Sequence, residues 1–166
     1  MDKTTLVSVD LDRGAQILRI LDDAKLNVRV ALWLYSPDYE DWRLVLSSPQ
    51  FDAGDPVHAY GLVHDALEAA GVPLEKTPPI MILRMNSSFV RILRRIFGKA
   101  KSVEGMRLGG QTIGDRFVED AYTYRVVWHW YSVRRDRARS GAESGRRECE
   151  DRAVDQDRGL DTRSRI

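Results

Sequence analysis

The chain is poor in cysteine: among its 166 residues only Cys149 carries a thiol. A single cysteine excludes an intramolecular disulfide and any thiolate-rich zinc or iron–sulfur centre built within one chain. Long hydrophobic runs are missing too. No segment approaches the roughly 18 to 20 apolar residues that cross a bilayer. The N-terminus, MDKTTLVSVDLD, has acids where a secretion signal needs an apolar core. A soluble, cytoplasmic protein without a membrane partner is the expectation. An excess of one charge sign is also absent: 26 basic residues face 25 acidic ones, a formal net charge of +1. No global field therefore attracts a polyanion, and such a partner would need a local patch.

Several catalytic frames are absent as well. The glycines of GMRLGGQTIG match neither G-x-G-x-x-G nor a GK[ST] phosphate loop, and no serine sits in G-x-S-x-G. His58 and His64 are six residues apart, which turns them about 120° from each other on a helix. His129 lies near the domain's end, so the three histidines make no convincing metal set. No cofactor and no bound metal are expected.

What is present divides unequally. From Ser132 to Ile166 there are ten Arg, no Lys and no aromatic residue, beside eight acids. Large apolar residues are too sparse there to offset the entropy of ordering a chain. The expectation is an α+β domain over residues 1–131 and a disordered, Arg-rich tail over 132–166. Arginine without lysine is also what a GC-rich gene yields when read past its stop or in a shifted frame. Comparison of the locus in close relatives decides that point.

Within the domain, hydrophobic periodicity predicts the elements. Asp10 is expected to cap a first helix running to about Lys25, with Leu11, Ile17, Leu18, Leu21 and Ala24 as its apolar stripe. The preceding TLVSV reads equally as helix or strand. Val28 to Tyr35 alternates as a strand, with Val28, Val30, Leu32 and Leu34 on one face; Trp42 to Ser48 follows after SPDYED as its hairpin partner. Asp55-Pro56 starts a second helix, with Val57, Tyr60, Val63, Leu67 and Ala70 as its buried face and Gly71 as its end. IMILRM is a short strand. Asn86 or Ser87 caps a third helix, SFVRILRRIF, ended by Gly98. Gly114-Asp115 is a tight turn joining Met106–Ile113 to a long strand from Arg116 to about Val127. The order α-β-β-α-β-α-β-β contains one crossover, which predicts a mixed or mainly antiparallel sheet packed against helices.

Two segments, VALWLYSPDYEDWRLVLSS and IGDRFVEDAYTYRV, resemble a group of small uncharacterised bacterial proteins that end soon after the last strand. The resemblance spans roughly residues 10–127. It implies that the tail is extra, and it implies no activity, cofactor or catalytic residue.

Two constellations are candidates for function. Positive charge is densest in the third helix and its flanks, where Arg91, Arg94 and Arg95 share a face opposite Phe89, Ile92, Leu93 and Ile96, with Lys99 just beyond. Such a face could track phosphates, although a solvated face paired with acids elsewhere is the commoner arrangement. Asp115, Glu119 and Asp120 gather around the last hairpin, with Asp120 expected beside Val118, Tyr122, Tyr124 and Val126. Carboxylates so placed could hold a divalent ion for phosphodiester cleavage, or pair with Arg116, Arg125 or a helix arginine. The lysine of the common E-x-K nuclease pattern is missing. VVWHWY, with Trp128 and Trp130, is either an interaction edge or strand packing. The first expectation is a non-catalytic binding or accessory protein acting through a protein partner or a second copy of itself. Nucleic-acid binding by the third helix is the alternative, and a metal-dependent nuclease using the hairpin acids comes third.

Overall fold

A computed structural model describes residues 6–127; the expectations for the tail, for His129, Trp128 and Trp130 and for Cys149 lie outside the described residues. Three helices and five strands follow in the order α1 (Ser8–Asp23), β1 (Val30–Ser36), β2 (Asp41–Ser47), α2 (Pro56–Ala69), β3 (Ile80–Ile82), α3 (Ser88–Phe97), β4 (Arg107–Ile113) and β5 (Arg116–Val126). The strands form one sheet in the order β3-β2-β1-β5-β4. Only β2 and β3 run parallel, because α2 carries the chain back across the sheet between them; the other three pairings are antiparallel. This is the mixed α+β sheet that the order of elements predicts.

Every residue of β1 is buried, because β1 is central and helices cover both faces of the sheet. On one face Ala31, Trp33, Tyr35, Trp42, Leu44 and Leu46 pack with Ile17, Leu18 and Leu21 of α1 and Ala59, Val63 and Leu67 of α2. On the other, Val30, Leu32, Leu34 and Val45 meet Phe89, Val90 and Leu93 of α3 and Val118, Ala121 and Val126 of β5. Each fully buried leucine or phenylalanine here stabilises the fold by roughly 1.5–3 kcal/mol. Val28 precedes the strand proper and joins the α1–α2 side rather than the face of Val30, Leu32 and Leu34.

Three helical phases differ from those read in the sequence. α1 begins two residues before Asp10, with Val7 as its N-cap; Asp10 sits at the third helical position and accepts a hydrogen bond from the Val7 N–H at 3.4 Å. The ambiguous TLVSV thus contributes to helix, and Ala24 is an exposed C-cap. α2 starts as expected, Asp55 accepting from the His58 N–H at 2.8 Å with Pro56 at the first position. Its buried stripe, however, is Ala59, Val63 and Leu67, while Val57, Tyr60 and Ala70 are exposed. In α3 Ser87 is the cap and Gly98 the end, but Val90 is buried where Ile96 was expected and Ile96 is exposed.

The Gly114-Asp115 turn joins β4 to β5 as read. Gly114 has φ +64°, and a β-carbon there would lie 2.7 Å from the Ser88 carbonyl carbon, so the turn seats directly on the start of α3. Higher in the same hairpin the facing of both strands changes at Gly109-Gly110, where Gly110 has φ +66°. Leu108 and Ile113, five apart, reach the same core, as do Val118 and Ala121, three apart, while the register between strands stays constant. A second irregularity between Ala31 and Leu32 in the β1–β5 pairing leaves Tyr124 as the extra residue of a bulge.

Candidate functional site

The hairpin acids do not converge as a set. Asp115 is exposed in the turn, Glu119 is exposed on β5, and Asp120 lies 3.4 Å from the Arg107 guanidinium. The change of facing at Gly109-Gly110 separates Asp120 from Val118, and the bulge at Tyr124 separates it from Val126; both valines belong to the α3 core, while Tyr122 and Tyr124 pack toward α1 and α2. Among the described residues, the three side chains whose metal-ligating atoms all lie within 4.8 Å of one another are His64, Asp65 and Glu68, all exposed on α2. Sequence reasoning compared the histidines with each other and overlooked this H-D-x-x-E spacing, which brings positions one turn apart together. A short run of surface acids and histidine on one helix is ordinary.

The cations of α3 divide into two groups. Arg94 is half-buried, and its Nε–H donates to the Val127 carbonyl at 3.2 Å, just beyond the end of β5. Burial, and then the charge of Arg29, lower its pKa from the ordinary guanidinium value. It is a structural tie rather than part of a solvated face. Arg91 and Arg95 are exposed four residues apart, and exposed Lys99 follows four further on, past Gly98, whose φ of −65° continues the helical turn. None of Arg84, Arg91, Arg95, Lys99 and Lys101 has a carboxylate of the described residues within 4.0 Å. Among the described residues, the expected pairing with acids elsewhere is not made along this row. From Thr77 to Val103 the sequence holds six cations and no acid.

On the opposite face of the sheet, the altered phase of α2 leaves an apolar groove between the helix and the proline-rich segment leading into β3. Val57, Tyr60, Gly61, Leu74, Pro78, Pro79 and Ile80 line most of it, and its volume is about 620 Å³. Val57 is 79% exposed, Leu74 65% and Tyr60 43%. Tyr60 also closes the outer edge of β3. Its hydroxyl accepts from the Ile82 N–H at 3.2 Å and lies 3.4 Å from the Ile80 carbonyl, to which it donates. One side chain thereby occupies the two backbone groups through which another strand would pair. The exposed acids Asp65, Glu68 and Glu75 adjoin the lining residues His64, Leu67 and Leu74 in sequence, and exposed Lys76 follows Glu75.

Behind this, α1 is fastened to the sheet by a half-buried relay. The Trp33 indole N–H donates to the Tyr124 hydroxyl at 2.9 Å, and that hydroxyl donates to the Leu11 carbonyl at 2.6 Å. Burial first, then the neighbouring charges of Tyr122, Asp12 and Asp10, push the Tyr124 pKa up to about 12, against a lowering by the Trp33 hydrogen bond.

No family model, characterised protein or solved structure matches this chain. Among the described residues no helix is long and apolar enough to cross a membrane.

Proposed function

We propose that this chain is a non-catalytic, cytosolic binding protein that holds a protein partner in the groove between α2 and residues 74–80. The observation that carries the reading is the exposure of Val57, Leu74 and Tyr60 around one concavity. Scattered surface hydrophobics are ordinary, but a contiguous apolar concavity with a polar rim is the anatomy of an interaction site. The occupant is a short apolar segment of another protein flanked by lysine or arginine. Its apolar side chains fill the groove, and its cations meet Asp65, Glu68 and Glu75. Strand addition is disfavoured because Tyr60 already occupies the β3 edge.

The test uses defined peptides. A random-peptide display library is selected on the full chain and counter-selected on the variant Val57→Lys/Leu74→Lys. Enrichment of peptides with two apolar anchors beside basic residues, bound by the wild type and lost in the variant, is the expected result. Peptides that bind both proteins equally, or no enrichment, would sink the reading. Circular dichroism of the variant should match the wild type, since both substituted side chains are exposed.

A further inference from the structure

We infer that the row Arg91–Arg95–Lys99 is a docking surface for the phosphate backbone of a nucleic-acid duplex. This does not depend on the groove: α2 packs on one face of the sheet and α3 on the other. Three observations carry it. Phe89, Val90 and Leu93 bury one side of α3, so the helix is fixed and its opposite side faces solvent. Arg91 and Arg95 are one turn apart on α3, a rise of about 6 Å that is close to the separation of successive phosphates along a strand, and exposed Lys99 follows two residues past the helix end. No carboxylate of the described residues is within 4.0 Å of any of them, and Arg84 and Lys101 extend the same acid-free stretch.

Unpaired like charges on adjacent turns repel each other, so the arrangement costs folding energy unless a polyanion meets it. Part of that cost is offset because Arg95 lies in the last turn, where the helix dipole favours cations. The dipole does not account for Arg91, one turn earlier.

A duplex fits better than a single strand. Single-strand binders lay bases on exposed aromatic rings. Here the aromatics of α3 are Phe89, fully buried, and Phe97, partly buried against the same core. The surface thus offers charge without aromatic stacking platforms, and contacts made to phosphates alone carry no sequence information, so binding should be indifferent to sequence. An anionic membrane is the competing polyanion, and the experiment separates the two.

The full chain is titrated against a 20-base-pair duplex, and against vesicles of phosphatidylserine and phosphatidylcholine, at several salt concentrations. The variant Arg91→Gln/Arg95→Gln/Lys99→Gln and the single variant Arg94→Gln are titrated in parallel. The Arg-rich tail is identical in all of these, so differences report α3. Wild-type binding to the duplex should weaken steeply with salt. The triple variant should lose about 2 to 3 from the log–log slope, with affinity at low salt down by on the order of tenfold or more. Arg94→Gln should leave the slope unchanged while lowering the melting temperature, since that side chain ties α3 to the end of β5. No duplex binding at low salt, binding that the triple variant retains in full, or a triple-sensitive interaction with vesicles but not with duplex would each overturn the inference.

Discussion

Replacing Gly14 by alanine gives the sharpest test of how α1 is held. In the interior of a helix this change ordinarily stabilises by about 0.5–1 kcal/mol, because glycine loses more backbone freedom on folding. Here Gly14 faces the relay of Trp33 and Tyr124. A β-carbon would stand 2.7 Å from the Trp33 Nε1 and 2.9 Å from the Tyr124 Cζ, and it would meet the Tyr124 hydroxyl as well. Both obstacles are rings without a flexible end. Trp33 is 2% exposed and lies in the central strand, so it has nowhere to go. Overpacking of this kind costs about 1–3 kcal/mol. If the hydroxyl is displaced, the indole N–H loses its partner, at about another 1–3 kcal/mol.

After subtracting the intrinsic gain, Gly14→Ala should destabilise by about 1–5 kcal/mol, read from urea melts by circular dichroism. Tyr124→Phe alone should cost about 1–3 kcal/mol by leaving the Trp33 N–H unpaired. The double variant discriminates. Without the hydroxyl the worst overlap disappears, so the two changes should cost less together than in sum, by about 0.5–3 kcal/mol. Strict additivity, or a Gly14→Ala protein more stable than wild type, would refute the reasoning.

Three further outcomes are expected. Because Tyr124 titrates near pH 12 in the fold against about 10 in an unfolded chain, the folded state resists losing that proton. Its contribution is fully present below pH 10 and should be lost as pH rises toward 12, so thermal stability should fall across that window, and fall less in Tyr124→Phe. Gly114→Ala combines an unfavourable positive φ with the contact on Ser88, so it should destabilise by about 1–3 kcal/mol in urea melts. Tyr60→Phe should cost about 0.5–1.5 kcal/mol and speed amide exchange at Ile82, whose N–H loses its acceptor; unchanged exchange there would mean that the hydroxyl does not close the β3 edge.

Local chemistry was legible wherever a residue decides its own backbone. Asp55-Pro56, Ser87, Gly98 and Gly114-Asp115 mark boundaries because capping oxygens, a fixed φ and a left-handed glycine act within a few residues. Element order and the mixed sheet followed from those marks. The facing of side chains was less legible. α2 carries two apolar stripes, one through Val57 and Tyr60 and one through Ala59, Val63 and Leu67. Val63 and Leu67 are buried as read, but at the start of the helix Val57 and Tyr60 outweigh Ala59 in hydrophobicity, whereas close packing on the sheet selects Ala59. The acids lie in the turn and strand as read, but the neighbours of Asp120 differ for a related reason: alternation counts through Gly109-Gly110 and Tyr124, whereas the strands turn over at the first and β5 bulges at the second. Arg94 was grouped with Arg91 and Arg95 because helical spacing does not reveal that the end of β5 passes beside it.

These departures are where the candidate surfaces lie. Had α2 buried Val57 and Tyr60, the sheet would have gained apolar contact and lost the groove. The chain instead buries Ala59 beside Val63 and Leu67, and uses Tyr60 to close β3 with a hydroxyl while its ring lines the concavity. In α3, a carboxylate at any solvent-facing position would relieve the repulsion between Arg91 and Arg95, yet the stretch from Thr77 to Val103 contains none. Folding asks neither for the exposure of Val57 and Leu74 nor for an acid-free α3, where a glutamate on the solvent face would pair with Arg91 or Arg95. The side chains that folding leaves unexplained are those that the two proposed partners would meet.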